Sequence, residues 1–326
     1  MKFLITGGAG FIGSYLSEKL LAEGHEIIVL DNLSTGTQGN IEHLAKNPSF
    51  HFVEGSVMNK ELLSKSAEGV QGIFHLAAAV GVKFVMENLV TSMEVNVKGT
   101  ENVLETALKL GGIKVLITSS SEVYGKSSKK RFHEEDDLII GPPHKFRWSY
   151  ATSKLLDEFL ALSYHAERNL PVTIVRLFNI CGPRQTGRYG MVIPRFVRQA
   201  LKGEAITVYG SGKQLRSFAH VKDAVEGMAK LMLEPNAEGK IFNLGNPRGI
   251  TIEELAIKIK EMTKSTSPIT YLPYEKVYGP HFEDLMYRVP DINRAKAVIG
   301  FMPRYHLEDI LAETVEYFRS KQCESG

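Results

Sequence analysis

Tyr150 and Lys154 stand four residues apart in Arg147-Trp148-Ser149-Tyr150-Ala151-Thr152-Ser153-Lys154, and apolar residues recur at Ala151, Leu155, Leu156 and Phe159. That spacing has a helical period, so the phenol and the ammonium share one face, a turn apart. An ammonium beside a phenol favours the phenolate and lowers a pKa that is about 10 in free tyrosine. The pair could therefore accept a proton near neutral pH. The same spacing also suits an ordinary surface pair on a helix, and other motifs must decide between the two.

The N-terminal run Lys2 to Thr6 is apolar and leads into Gly7-Gly8-Ala9-Gly10-Phe11-Ile12-Gly13, followed by a helical pattern through Leu16, Leu20 and Leu21. Strand, glycine turn and helix in this order form a dinucleotide cradle. Gly7 permits the tight turn, Gly10 lets a pyrophosphate approach the helix N-terminus beside Phe11 and Ile12, and Gly13 lets helix pack on strand. A second strand, Glu26 to Leu30, ends in Asp31, 18 residues beyond Gly13. A carboxylate there accepts a hydrogen bond from a ribose 2′-hydroxyl and repels a 2′-phosphate, which favours NAD over NADP.

Strand and helix patterns go on alternating through His51 to Val53, Ile73 to Ala78, a helix near 95–109, Val115 to Thr118, and Val172 to Leu177. Near-continuous apolar strands in this arrangement predict an α/β fold, a doubly wound parallel sheet of the Rossmann type. The expected division is a dinucleotide-binding domain over 1–180, to which the chain returns in part around 205–245, and a smaller mixed α/β region over 181–326 that binds substrate. Ligands in such sheets lie beyond the carboxyl ends of the strands, which places Ala77, Ala78 and Ser119-Ser120-Ser121-Glu122 at the mouth. The three hydroxyls could equally cap the next turn, with Glu122 completing the cap. His75 reads as a core imidazole and Lys83 as a solvated lysine. In the C-terminal region, Val192 to Val197 looks like a helix entry with proline in its first turn. Ile206 to Tyr209 and Arg216 to His220 look like short strands, and Leu307 to Phe318 like an amphipathic helix. Arg216 and Arg288 are isolated arginines beside apolar residues; they could clamp a diphosphate bidentately or form ion pairs.

Composition excludes several classes. With a net charge of +2 and 23% charged residues over 326 positions, there is no basic field for nucleic acid. Two cysteines, Cys181 and Cys323, lie far apart without metal-ligand spacing, which suits a reducing compartment and suggests no metal. No apolar run approaches the ~20 residues of a membrane span, and the strand-like start leaves no room for a signal peptide. The expectation is a soluble cytoplasmic protein whose partners are small molecules or copies of itself.

Taken together, the motifs resemble the extended short-chain dehydrogenase/reductases that modify nucleotide sugars. The likeness rests on Thr6 to Gly13, Asp31-Asn32, His75-Leu76-Ala77-Ala78, Asn96 to Thr100, Ser119 to Gly125, Tyr150 with Lys154, and Arg176-Leu177-Phe178-Asn179, and covers nearly the whole chain. It implies that Tyr150 takes the proton of a sugar 4-hydroxyl with help from Ser120, that Lys154 binds the nicotinamide ribose, and that C4 passes a hydride to NAD. It further implies cofactor contacts from Asn32, Ser56, Val57, Leu76, Asn96 and Ser119. Substrate contacts follow from Ser121, Asn179, Val192 and Tyr209, with Arg216 and Arg288 on the diphosphate of a UDP-sugar. Ser56 departs from the family pattern, which usually has an aspartate against the adenine amino group. A homodimer through two helices, one carrying Tyr150, is implied as well.

A C4 ketone has three exits: loss of CO2 from a C6 carboxylate, return of hydride to the other face, or elimination of the 6-hydroxyl. Elimination usually uses a separate acid and base, and Ser121 stands where dehydratases acting on deoxythymidine-linked glucose carry an acid. Ser120-Ser121-Glu122 resembles the UDP-glucuronate decarboxylases, as do the run from Glu135 to Tyr150 and Arg288-Val289-Pro290-Asp291-Ile292. His75 to Val82 looks more like an epimerase. Arg184, just beyond a Gly-Pro turn, could pair with a C6 carboxylate or simply hold its loop by a salt bridge. The reading is an NAD-dependent UDP-sugar enzyme, with UDP-glucuronate decarboxylation ahead of 4-epimerisation. A non-catalytic NAD-sensing protein would share the fold, but intact Ser120, Tyr150 and Lys154 argue against it.

Overall fold

The structure, a computed structural model, describes residues 1–187, 190–279 and 282–323. Short apolar strands separated by helices supply the first half: β1 (Lys2–Thr6), α1 (Phe11–Ala22), β2 (Glu26–Asp31), β3 (Phe50–Glu54), α2 (Lys60–Ser66) and β4 (Gly72–His75). There follow α3 (Val82–Glu87), α4 (Leu89–Lys109), β5 (Lys114–Ser120), α5 (Trp148–Arg168) and β6 (Val172–Leu177). The second half runs β7 (Ile180–Cys181), α6 (Val192–Lys202), β8 (Ile206–Tyr209), β9 (Leu215–Ser217), β10 (Ala219–His220), α7 (Val221–Leu233) and β11 (Lys240–Leu244). It ends with β12 (Gly249–Thr251), α8 (Ile252–Thr263), β13 (Ile269–Leu272), α9 (Tyr274–Tyr278), β14 (Tyr287–Arg288), α10 (Asn293–Ile299) and α11 (Leu307–Cys323).

Seven strands form one parallel sheet in the order β11-β6-β5-β4-β1-β2-β3. The order reverses between β1 and β4, the switch point at which such sheets bind ligands. Helices cover both faces because β1, β4 and β5 are buried on both sides: Phe3, Ile5 and Phe74 pack with Leu16, Met228 and Phe301 on one face. Leu4, Ile73 and Ile117 pack with Val103, Ala107 and Ala161 on the other.

After β6 the chain builds a second cluster around Phe196, Val208, Leu255 and Leu311. It also returns to the large sheet through α7, β11 and α10. β8 stays outside that sheet and pairs with β13. The reason is visible in β8 itself: its inward residues Ile206 and Val208 pack into the second cluster. Among the described residues no helix is long and apolar enough to cross a membrane, and no group of side chains could hold a metal ion. Cys181 is buried and free; the side chain of Cys323 lies outside the described residues.

Candidate active site

The carboxyl ends of β1, β2, β4, β5 and β6 open into a cleft of about 1030 Å³, closed on its far side by α6, β8, β9 and β14. At its inner end lies the glycine turn. Gly7 has φ +74°, and a Cβ on Gly13 would stand 2.4 Å from the Gly7 carbonyl oxygen, so helix α1 can start here only with hydrogen in that place. Its first-turn amides have no intrahelical acceptors and face the cleft at Phe11, Ile12 and Gly13. Asp31 is buried and accepts from the Ala9 amide at 2.9 Å and the Leu33 amide at 2.8 Å. Burial raises its carboxyl above the usual range, opposed by these amides. The donors for a pyrophosphate and the acceptor for a ribose hydroxyl thus stand where NAD requires them. Asn32, Ser56, Val57, Leu76, Ala77 and Ala78 line the same lobe. Ser56 Oγ accepts from the Met58 amide at 3.2 Å, so its loop is braced by a hydroxyl where the family uses a carboxylate.

Two expected cofactor residues act at one remove. Asn96 is buried; it accepts from the Ala79 amide at 2.8 Å and donates to Ser153 Oγ at 3.0 Å. It pins the Ala77 to Ala79 loop onto α5 and is not among the cleft-lining residues. The Ser119 hydroxyl donates to Glu158, which also takes Arg176 bidentately at 3.0 and 2.7 Å; only the rest of Ser119 borders the cleft. His75 is a core imidazole as read, between Thr6 at 2.8 Å and Thr100 at 3.1 Å, with its pKa pushed down to about 3 by burial.

At the centre, β5 delivers Ser120, a 3-10 turn over Ser121–Tyr124 delivers Glu122, and the first two turns of α5 deliver Tyr150 and Lys154. Ser120 also caps that turn, accepting from the Glu122 amide at 3.3 Å; capping and a place in the site coexist. Lys154 does not meet the phenol as expected. Its ammonium donates to Asp157 at 2.7 Å. The Tyr150 phenol is accordingly raised above its ordinary pKa, by burial first and by the Glu122 carboxylate second, with a Ser120 hydrogen bond and Arg288 opposing.

Glu122 is buried between two guanidiniums, paired with Arg147 and lying 3.5 Å from Arg288. Burial alone would raise its carboxyl, but the two arginines outweigh it and hold the group below its usual range. Arg288 also donates to Ser121 Oγ, at 3.1 Å from Nε and 2.7 Å from Nη2. Burial first, with Arg216 and Arg147 adding to it, lowers Arg288 to about 10. Parallel pairing of β14 with β9 sets Arg288 directly beside Arg216, so the two expected arginines share one wall. Arg216 is engaged by Asp284 at 2.9 Å and by the Leu285 carbonyl at 2.7 Å. Arg184 lines the cleft; its Nη1 pairs with Glu18 at 2.6 Å and its guanidinium lies over the Tyr15 ring at 4.3 Å, which fastens the loop to α1.

Asn179, Val192 and Tyr209 line the outer cleft, and Asn179 Nδ2 donates to the Ser217 carbonyl at 2.8 Å. Sequence reasoning missed Arg147, Asp157, Asp284 and an aromatic group in which Tyr278 stacks on Phe282 at 4.4 Å with Tyr209 edge-on at 5.8 Å. Arg147 carried a signal, since it precedes Tyr150 by three residues and so shares its helix face. Asp284 and the aromatic group carried none, because no periodicity leads into them.

Known proteins agree with this geometry. The chain is 44% identical over 319 residues to a UDP-N-acetyl-alpha-D-glucosaminuronate decarboxylase of Bacillus cytotoxicus, covering 98% of both chains. It is 37% identical to UDP-glucuronic acid decarboxylase 1 of Danio rerio, over 97% of this chain and 72% of the relative. Among solved structures, a dTDP-glucose 4,6-dehydratase from Streptomyces venezuelae with NAD bound superposes with a TM-score of 0.90 at 30% identity, covering 99% and 98% of the two chains. A UDP-glucuronic acid 4-epimerase from Bacillus cereus, in complex with UDP-glucuronic acid and NAD, gives 0.89 at 27% identity over 98% and 100%. A glycine cradle, a terminal aspartate on β2 and a Tyr/Lys pair at the switch point, with a family model matching residues 3–245, place the chain in the NAD dependent epimerase/dehydratase family, an enzyme with NAD as its cofactor.

Proposed function

We propose that this enzyme decarboxylates a UDP-linked hexuronate through a 4-keto intermediate. The observation that carries the reading is the ionised Glu122 held between Arg147 and Arg288 in the wall that also presents Ser120 and Tyr150. The likeness to two UDP-uronate decarboxylases supports it. When bound, NAD supplies a hydride acceptor for the sugar C4 and a donor for the same carbon later.

Tyr150 takes the proton of the 4-hydroxyl as the phenolate, a form reached against the burial that raises it in the site as it stands, and Ser120, hydrogen-bonded to the phenol, holds the sugar oxygen in place. A ketone at C4 leaves the C6 carboxylate β to it. The C5–C6 bond then breaks, CO2 departs, and the electron pair rests on the C4 oxygen as an enolate, where the Tyr150 and Ser120 hydroxyls donate. A proton added at C5 gives the 4-keto pentose. Once C4 is reduced, Tyr150 returns a proton to its oxygen. In sum, one uronate and one proton give one pentose and one CO2. Arg288 is the cation suited to the C6 carboxylate. Elimination of a 6-hydroxyl would need a protonated acid. Glu122 is held ionised instead, and Ser121, where such an acid would stand, is engaged by Arg288. Incubation of the NAD-loaded enzyme with carboxyl-labelled UDP-glucuronate, and in parallel with its 2-acetamido counterpart, is expected to release labelled CO2 from at least one; retention of all label in the nucleotide sugar would exclude decarboxylation.

The same reading includes a homodimer. Val90 and Met93 on α4 and Leu156 and Phe159 on α5 are exposed, Val90 at 73% and Phe159 at 62%. Paired helices with apolar outer faces suit a second copy of the same two helices. Sedimentation is expected to show a dimer for the wild type and a monomer for a Val90→Asp, Phe159→Asp double variant. A wild-type monomer would contradict the assignment.

A further inference from the structure

α5 carries two adjacent buried acids that serve different cations. Glu158 takes Arg176 bidentately and thereby braces β5 against β6. Asp157 is fully buried and takes Lys154, its Oδ2 lying 2.7 Å from the ammonium. Its second oxygen, Oδ1, is buried without a hydrogen-bond partner. The Thr100 hydroxyl, which meets His75 Nε2 at 3.1 Å, acts on the same carboxylate and opposes the effect of burial, and His75 is in turn tied to Thr6 at the glycine turn. A carboxylate with one unsatisfied oxygen in the protein interior is costly. Burial raises this carboxyl above its usual range, opposed first by Lys154, a lysine that the Tyr150 chemistry needs.

We propose that Asp157 is a positioning residue for Lys154, holding the ammonium at the floor of the cleft and offsetting its charge toward Tyr150. The inference rests on the reading of Tyr150 as the base. Lys154 has three protons, of which Asp157 takes one, leaving the others directed by that anchor. The charged groups that act on the phenol are Glu122 from the turn after β5, Arg288 from β14 and Asp157 from its own helix; Lys154, on that helix, is paired with Asp157, and His75 on β4 faces it as a neutral ring. Both carboxylates raise the phenol. Removing the charge at Asp157 therefore lowers it, directly and by freeing Lys154. The sign is opposite to that expected for damage to a support.

The test compares NAD-loaded, full-length wild type with Asp157→Asn and, as a second and smaller replacement, Asp157→Ser. Two readouts are followed against pH: kcat/KM for a UDP-hexuronate, and the ultraviolet phenolate absorbance that Tyr150→Phe lacks. In either folded variant both the acid limb and the phenolate titration are expected to move to lower pH by about one unit. Profiles that superimpose on the wild type, or move to higher pH, would overturn the role of Asp157, as would failure of both replacements to fold, which would mark the residue as structural. The absorbance readout needs no substrate. If no phenolate signal distinguishes wild type from Tyr150→Phe, the assignment of the base itself is wrong.

Discussion

Replacing Tyr150 with Phe is expected to lower kcat by about three orders of magnitude, the scale of a lost general acid–base group. The variant removes one oxygen and keeps the ring that packs at the start of α5. The oxygen is hydrogen-bonded by Ser120, a side chain that keeps its own place as the cap of the next turn, so the fold and NAD binding should survive. Activity is lost because no other group at this point can both take the 4-hydroxyl proton and give it back. Glu122 is occupied by two guanidiniums, and Lys154, already charged, has nothing to accept with. Turnover of a UDP-hexuronate, measured beside NAD content and melting temperature, checks this. Turnover within tenfold of the wild type, with NAD retained, would remove Tyr150 from the mechanism.

Glu122→Gln is expected to damage both stability and activity. Glutamine keeps the shape but leaves Arg147 and Arg288 in a buried wall with Asp284, already paired with Arg216, as the remaining carboxylate, and removing one partner of a buried pair costs about 3–5 kcal/mol. The melting temperature should fall by several degrees. Loss of the anchor for Arg288 should also lower turnover, because that guanidinium is the one suited to the C6 carboxylate. The pH dependence separates this from a general weakening. The Glu122 carboxyl is depressed in the folded protein, so its contribution is complete above the ordinary value of 4.5 and disappears as pH falls through the depressed one. Wild type and variant should therefore converge in stability as pH falls through the depressed value and differ by a constant amount above 4.5. A constant difference across the whole range, or none, would count against the pairing.

Much of the architecture could be read from local pattern. The glycine turn, Asp31 and the apolar strands require a switch-point site because each constraint is local: a backbone too crowded for Cβ at Gly13, a strand end, a run of buried residues. Tyr150 and Lys154 were legible as a helical pair for the same reason. The charge partners were not. Lys154 turns to Asp157 because an ammonium enclosed in the interior must have an anion, and the anion lies three positions on along the same helix, outside the spacing that links Tyr150 to Lys154. Arg184 pairs with α1 because its loop lands beside Glu18, a contact across 166 positions that no spacing rule reveals. The neighbours of Arg216 and Arg288 depend on the register of β9 with β14, two very short strands in a mixed region. The core sheet follows from periodicity, whereas the electrostatics of the site depend on which irregular segments meet over it.

The central claim is that C4 is oxidised and then reduced on the same enzyme while C6 is lost. UDP-glucuronate and its 2-acetamido counterpart carrying deuterium at C4, incubated with the NAD-loaded enzyme and followed by mass spectrometry, test it most directly. The expected product is a UDP-pentose lighter by one CO2 that keeps the deuterium, because the hydride that leaves C4 returns to it. A nucleotide sugar of unchanged mass with inverted C4, or one lighter by water, would contradict decarboxylation; a pentose stripped of its deuterium would contradict the internal return of the hydride.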